Sequence, residues 1–266
     1  VDDKQWFKLF LKKHNFPTPE GKMFLNTKRA FLYGKKLGFP LVVKPANGSL
    51  SHHATYPIYT EEELKNAIGV AKIYRPDFIV EKFITGSFYR ATVIGKKQVY
   101  VCCKEPATVI GDGESTIQAL IDRKNLHPLR KQPSARDATL HTISSGQELV
   151  TYLSKKCLSL TSIIPCGVKL FLNNRVTLSS GADVIACTDF AHPKTRELFL
   201  EISCRLNTRL IGFDFICQNI EQKFNSQEFA ILEANTLPYI DMHAYPSFGK
   251  PDTVASDVWD QVLETL

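Results

Sequence analysis

The chain has 266 residues, 44% of them hydrophobic and 23% charged, which predicts a folded protein of one large or two small units with a substantial core. Its net charge of +6 comes from basic residues scattered along the chain, and without a recognition motif or a long basic run we expect no nucleic-acid partner. No apolar run approaches the length of about 18 residues that a membrane span needs, so we expect no membrane partner either.

Cysteine usage bears on the compartment. The seven cysteines are odd in number and contain no C-x-x-C pair, which argues against a disulfide framework. We therefore expect reduced thiols in a cytoplasmic protein. The chain also has no G-x-x-x-x-G-K-[ST] run, which excludes a P-loop NTPase.

The first 86 residues alternate between helical and strand patterns. The predicted elements are helices at 3 to about 14, 27–37 and 60–73, and strands at 41–45, 56–59 and 77–84. Thr60 and Glu63 have the spacing of a capping box at the start of the third helix. We expect this stretch to be a compact α+β unit, with Lys44 near the end of a short buried strand.

The remainder of the chain is less regular. The predicted elements are strands at 88–94, 98–103 and 167–172, helices at 117–124, 146–159 and 194–205, and a final helix after a loop at 239–251. Residues 125–165 otherwise form a polar, irregular insertion, and residues 173–189 form a segment rich in Ser, Thr and Gly.

Each of two apolar runs near the end of the chain carries an acid, Asp214 in the first and Glu233 in the second. The polar stretch 218–228 between the runs predicts a hairpin, and a symmetric hairpin places Asp214 opposite Glu233. Asn235 shares a face with Glu233 because side chains two apart on a strand point the same way. A single acid in a strand more often faces solvent, but both acids here have apolar neighbours, and a buried unpaired carboxylate is costly. Two carboxylates and an amide oxygen suit Mg²⁺ that is also bound by substrate phosphates.

Short motifs follow one another along nearly the whole chain. They are Asp3-Lys4, Phe16–Gly21, Val42–Pro45, Val80–Ile84, Gly111–Ile117 with Asn125, His192-Pro193, Gly212–Asp214, Glu233–Asn235, Met242-His243 and Gly249-Lys250. Their order and spacing resemble the ATP-grasp superfamily, in particular cyanophycin synthetase and the glutathione-synthetase half of the bifunctional glutathione-forming enzyme. The resemblance implies an α+β ATP-grasp fold in which two α+β subdomains clamp ATP. Residues 1–86 would be the nucleotide-binding lid subdomain, and residues 87–266 the catalytic subdomain with the metal site.

The resemblance also implies an activity, that of an ATP-dependent, ADP-forming carboxylate–amine ligase. Such an enzyme phosphorylates a carboxylate, and an amine then attacks the acylphosphate to form an amide or peptide bond. The implied roles are phosphate binding by Lys4 and Lys44, adenine recognition by Glu81, Lys82, Phe83 and Ile84, Mg²⁺ binding by Asp214, Glu233 and Asn235, and catalytic contacts by Arg90 and Arg175. His243 is expected either to contact substrate or to be a buried structural residue.

Several positions depart from the family pattern. The loop after Lys44 keeps only Gly48 where relatives are glycine-rich, and Phe88 stands where relatives carry an acid for the ribose hydroxyls. Asn173 stands where relatives carry an arginine, and Arg175 is a nearby substitute. Ser179-Ser180-Gly181-Ala182 stands where relatives carry a Ser-Thr-Gly-Gly loop. These departures favour an alternative, a catalytically weakened nucleotide-binding ATP-grasp module of a larger protein.

The expected partner is a small amino-acid or peptide substrate, whose identity the sequence does not specify. A ligase acting on the termini of proteins or peptides is a third hypothesis. The resemblance is also compatible with a homo-oligomer. Because the first residue is Val1 and relatives bind substrate with a preceding region, we expect an additional N-terminal region in the full-length protein.

Overall fold

The computed structural model describes residues 3–46, 55–132, 134–135, 138–174 and 176–264. Its helices are α1 (Lys4–Lys13), α2 (Thr27–Leu37), α3 (Glu61–Tyr74), α4 (Ile117–Asn125), α5 (Gln147–Ser154), α6 (Pro193–Leu206), α7 (Asp241–Ala244) and α8 (Val254–Leu263). Its strands are β1 (Gly21–Phe24), β2 (Leu41–Pro45), β3 (Thr55–Ile58), β4 (Phe78–Lys82), β5 (Ser87–Ile94), β6 (Gln98–Glu105), β7 (Thr108–Ile110), β8 (Arg130–Lys131), β9 (Leu140–His141), β10 (Lys169–Phe171), β11 (Asp183–Ala186), β12 (Leu210–Cys217) and β13 (Phe229–Asn235). Helices mixed with mainly antiparallel strands confirm the predicted α+β class. Within these ranges, no helix has the length and apolar character to cross a membrane.

The chain divides into two compact units. The first joins Val1–Val99 to Phe190–Pro238, and the second joins Tyr100–Asp189 to Tyr239–Leu266. These units are defined by compactness, and the functional division between residues 86 and 87 stays a prediction.

A four-stranded sheet with the order β1-β4-β2-β3 lies in the first unit. Helices α2 and α3 cover it, and Leu41, Val43, Phe78 and Val80 are buried in the core between sheet and helices. The predicted capping box is confirmed at the start of α3, where Thr60 and Glu63 hydrogen-bond each other's backbone N–H groups. Lys44 alternates with buried residues along β2 and is itself only half-buried. This alternation brings a lysine to the end of an otherwise apolar strand.

The first unit also contains the hairpin of β12 and β13. Strand β12 pairs antiparallel with β5 on one side and with β13 on the other. Phe213 on β12 stacks against Phe199 of α6 and Phe7 of α1, with ring centroids 5.2 and 6.1 Å apart. This aromatic core, all of it buried, holds α1 against the hairpin.

The second unit contains short strand pairs and the helices α4, α5, α7 and α8. Strand β6 pairs with β11, β7 with β10, and β8 runs parallel to β9. Ile117, Ile121 and Leu153 are buried together in its core. Strand β11 lies in the segment predicted only as rich in Ser, Thr and Gly.

Three predictions of local structure need correction. The insertion at 125–165, expected to be irregular outside its helix, contains the paired strands β8 and β9. The helix predicted at 146–159 ends at Ser154, because the chain turns there and Cys157 adopts a left-handed conformation with φ of 57°. Strand β1 was not predicted, since its four residues follow a proline-rich break and pair with β4 across the sheet. Such short strands depend on a distant partner more than on their own sequence.

Candidate functional site

The hairpin places the two predicted acids directly opposite each other. Asp214 pairs with Glu233 across the strands, which confirms the predicted alignment. Near the connection, however, Phe215 pairs with Ile231, so a bulge between the two pairs leaves Leu232 as an extra residue on β13. Without this bulge Asp214 would face Leu232. The bulge therefore brings the carboxylates to one face, because residues directly opposite share a face of the sheet.

Each of these acids has a cationic partner. Arg90 lies opposite Asp214 on β5 and donates two hydrogen bonds to it, from Nε to Oδ1 at 2.8 Å and from Nη2 to Oδ2 at 3.0 Å. Lys4 on α1 places its Nζ 3.1 Å from Glu233 Oε2. Arg90 and Asp214 are both buried, so the bidentate geometry offsets part of the cost of removing two charges from water.

Gly212 makes room for this arrangement. A Cβ atom at this position would lie 2.9 Å from Arg90 Nη1 and 2.8 Å from Pro238 Cβ, closer than normal packing allows. The absence of a side chain at Gly212 therefore lets the guanidinium lie along the strand beside Asp214.

The chemistry of the predicted donors fits a magnesium ion. Asp214 and Glu233 supply carboxylate oxygens, which are ligands that Mg²⁺ prefers, and Glu233 is half-buried. The Nδ2 atom of Asn235 is buried and has no hydrogen-bond partner among the described residues, but it is a hydrogen-bond donor, so only the amide oxygen of Asn235 could bind the ion. The described ranges hold no group of three or more His, Cys, Asp and Glu side chains arranged for a metal. The set of Asp214, Glu233 and Asn235, which includes an amide, stays a prediction.

A second charged cluster surrounds Glu81 on β4. Glu81 is 4% exposed; its Oε1 lies 2.5 Å from Lys44 Nζ, and its Oε2 accepts a hydrogen bond from Lys8 Nζ. Burial alone would raise the pKa of Glu81, but the charges of Lys44 and Lys8 outweigh it and lower the pKa. Burial lowers the pKa of Lys8, and Glu81 offsets only part of that effect. Glu81 is therefore an anion held between two cations.

The three residues after Glu81 are partly engaged within the protein. Lys82 Nζ donates to the carbonyls of Gly38 and Phe39, both at 3.0 Å. The N–H of Lys82 donates to Glu20 O at 2.8 Å, and that of Phe83 to Pro40 O at 3.1 Å. Ile84 is half-buried. The adenine-binding role of this stretch stays a prediction, and these N–H groups are already committed to protein acceptors.

Several other predicted positions are located by the fold. Arg175 and the glycine-poor loop at 47–54 lie outside the described residues. Phe88 is half-buried on β5 opposite Ile216. Asn173 lines a cavity of 400 Å³ in the second unit together with Tyr152.

His243 is fully buried, which favours the structural alternative for this residue. Its Nδ1 lies 3.7 Å from Asp252 Oδ2, and its ring centroid lies 6.2 Å from that of Tyr100. Burial would lower the pKa of His243, but Cys102 and Asp252 outweigh it and raise the pKa to about 9.

This pKa predicts a pH-dependent stability. Because the folded pKa of about 9 exceeds the unfolded value of 6.5, the stabilisation is complete below pH 6.5 and is lost as pH rises through 9. We expect the free energy of unfolding to fall by about 3 kcal/mol over that range, measured by urea denaturation. His243→Gln should remove this fall, and the exposed His127→Gln should keep it. An unchanged pH dependence in His243→Gln would contradict the assignment.

Two sets of charged residues were not predicted from the sequence. Lys8 was overlooked although Lys4, Lys8 and Lys12 are spaced by four and so lie along one side of α1. In the second unit Asp183 is fully buried, with Oδ2 2.5 Å from Lys124 Nζ and Oδ1 bonded to Arg130 Nη2. Nothing in the local sequence around Asp183 indicates these partners, which lie more than 50 residues away along the chain.

Comparisons with known proteins agree with this fold. No family model matches the chain. The glutathione biosynthesis bifunctional protein GshAB of Clostridium perfringens is 30% identical over 263 residues, which cover 98% of this chain and 34% of the relative. A cyanophycin synthetase of Crocosphaera subtropica is 31% identical over 266 residues, which cover 98% of this chain and 30% of the relative. A solved bifunctional glutathione synthetase from Pasteurella multocida has a TM-score of 0.77 at 25% identity, over 100% of this chain and 37% of that one.

The chain thus spans about a third of the length of the curated relatives it matches. The similarity extends over nearly all of its residues and is not confined to one unit. Together with the α+β architecture, this similarity shows that the chain has the ATP-grasp fold and resembles a glutathione-forming enzyme and a cyanophycin synthetase along nearly its whole length.

Proposed function

We propose that this chain is the ATP-binding, catalytic part of an ADP-forming carboxylate–amine ligase that acts on an amino-acid or peptide substrate. The observation that carries the proposal is the pair of opposed acids, Asp214 and Glu233, with Arg90 and Lys4 beside them. A division into a nucleotide-binding part at 1–86 and a catalytic part at 87–266 belongs to the same proposal.

The proposed reaction has two steps. A carboxylate oxygen of the substrate attacks the γ-phosphorus of ATP, the bond to the bridging oxygen breaks, and ADP leaves. The amine nitrogen then attacks the acyl carbon and loses a proton, and inorganic phosphate leaves as the amide forms. Positioning and charge stabilisation supply most of the catalysis in phosphoryl transfer.

The residues of this chain have separate tasks in that scheme. Lys4 and Lys44 donate hydrogen bonds to phosphate oxygens, and Arg90 orients Asp214 through two hydrogen bonds. Asp214, Glu233 and Asn235 would hold Mg²⁺, which supplies neutralisation of the phosphate charge when bound. Arg175 is proposed to contact the reacting groups on the basis of the family resemblance.

The test measures ADP release with a panel of amino acids and dipeptides as carboxylate and amine substrates. We expect ADP formation to require ATP, Mg²⁺, a carboxylate and an amine together. Hydroxylamine should replace the amine and trap the acylphosphate as a hydroxamate. ADP release that needs no carboxylate would contradict the ligase.

One observation favours a second candidate, a nucleotide-binding module with weakened catalysis. Phe88 cannot accept hydrogen bonds from ribose hydroxyls, and it stands where relatives carry an acid. Calorimetric titration with ATP and Mg²⁺ distinguishes the candidates when it is combined with the turnover assay. Binding without ADP formation across the whole panel would favour the module.

A further inference from the structure

We infer that Lys8 is a positioning residue that holds the Glu81 carboxylate. Because Lys8 then balances the charge of Glu81, the positive charge of Lys44 remains available to the nucleotide phosphates. The inference rests on the proposed function, because it takes Lys44 to lie at a nucleotide site.

The geometry of α1 aims Lys8 at Glu81. Phe7 and Leu11 are fully buried and fix the orientation of the helix. Lys4, Lys8 and Lys12, four residues apart, then contact three different points of the first unit. Lys4 reaches Glu233, Lys8 reaches Glu81, and Lys12 Nζ donates to Gly21 O at 3.3 Å. Helix α1 therefore places Lys4 beside Glu233 of the predicted metal site and Lys8 beside Glu81.

The two oxygens of Glu81 are divided between the two lysines. Oε1 contacts Lys44 and Oε2 contacts Lys8, and the side chains of Lys8, Lys44 and Glu81 are 13%, 20% and 5% exposed. Two cations and one anion leave this cluster with a surplus of one positive charge. If Lys8 were neutral, Glu81 would pair with Lys44 alone and the surplus would vanish.

A surplus charge in a largely buried cluster suits an anionic ligand better than a purely structural role. Burying charges costs free energy, and a structural ion pair needs one cation for one anion. A second buried lysine adds to the desolvation cost without a second carboxylate to compensate it. A polyanionic phosphate chain would supply the missing negative charge.

The test compares nucleotides that differ in phosphate number. Dissociation constants for ATP, ADP, AMP and adenosine are measured by calorimetry with Mg²⁺, using the intact protein. Loss of one charge near the phosphates should weaken ATP binding by roughly tenfold or more in Lys8→Met, because Coulomb energy at a partly buried site is several times that in water. Adenosine, which carries no phosphate, should bind almost as well as to wild type. Lys8→Arg should restore most of the ATP affinity, and the exposed Lys13→Met should leave it unchanged.

A double substitution tests the charge argument without relying on Lys8→Met alone. Adding Glu81→Gln to Lys8→Met removes the anion and restores the surplus charge at Lys44. We expect this double variant to bind ATP more tightly than Lys8→Met, with the recovery increasing with the number of phosphates. Thermal unfolding of each variant verifies that it is folded.

The outcomes separate this inference from the proposed function. Unchanged ATP affinity in folded Lys8→Met, or equal losses for ATP and adenosine, would overturn the role of Lys8 while leaving nucleotide binding intact. No recovery in the double variant would also overturn it. A wild-type protein that binds none of the four ligands would overturn the proposed function, and this inference with it.

Discussion

Replacement of Glu233 by glutamine is expected to lower the rate of ADP formation by on the order of a hundredfold or more. The substitution removes a carboxylate ligand of the proposed Mg²⁺, which would neutralise the charge on the phosphates. Glu233 is half-buried and contacts Lys4, so this substitution should disturb the fold little. The measurement is the initial rate of ADP release as Mg²⁺ is varied. We expect the variant to need more Mg²⁺ and still to reach a lower maximal rate.

The matched control is Glu221→Gln, an exposed acid in the connection of the same hairpin. It changes the net charge equally and should leave both the rate and the Mg²⁺ requirement unchanged. Asp214→Ala should also abolish ADP formation, but it leaves the buried Arg90 without its carboxylate and so tests the fold as well. Full activity in either Asp214→Ala or a Glu233 variant would refute the metal-site assignment.

Replacement of Asp183 by asparagine is expected to lower the free energy of unfolding by about 3–5 kcal/mol, the usual cost of removing one partner from a buried ion pair. Asp183 is fully buried, and it also accepts a hydrogen bond from Thr108 Oγ1 at 3.0 Å. Burial lowers the pKa of Lys124 and of Arg130, and Asp183 is the charge that opposes this effect in both. In the variant, Lys124 and Arg130 would remain without the negative charge of Asp183.

Urea denaturation at neutral pH measures this change. Asp189→Asn is the control, because Asp189 is exposed and lies six residues further along the chain. We expect its unfolding free energy to lie within about 0.5 kcal/mol of wild type. Equal stability of the two variants would show that Asp183 does not neutralise the buried cations. The enzymatic assay is not needed for this comparison, so the result is independent of the proposed function.

Much of the local structure was predictable because its causes are local. The capping residues at the start of α3 and the apolar spacing of α1 depend on residues within a few positions of one another. The predicted end of α5 was wrong because a backbone turn ends the helix earlier. Strands β1 and β11 were not predicted because each depends on a strand partner that is distant in the sequence. The order of short motifs along the chain nevertheless indicated the ATP-grasp fold, which the comparisons bear out.

The sequence by itself determined which chemical groups are available at the site: an acid in each strand of a hairpin, an amide two residues away, and lysines on α1 and β2. Only the tertiary structure decided how these groups meet. A one-residue bulge at Leu232 sets Asp214 opposite Glu233. Register across a sheet brings Arg90 to Asp214, and the packing of Phe7 turns Lys8 toward Glu81, 73 residues along the chain. Short-range patterns fix helices and strands, whereas contacts between distant charges follow from packing and register, which no local pattern specifies.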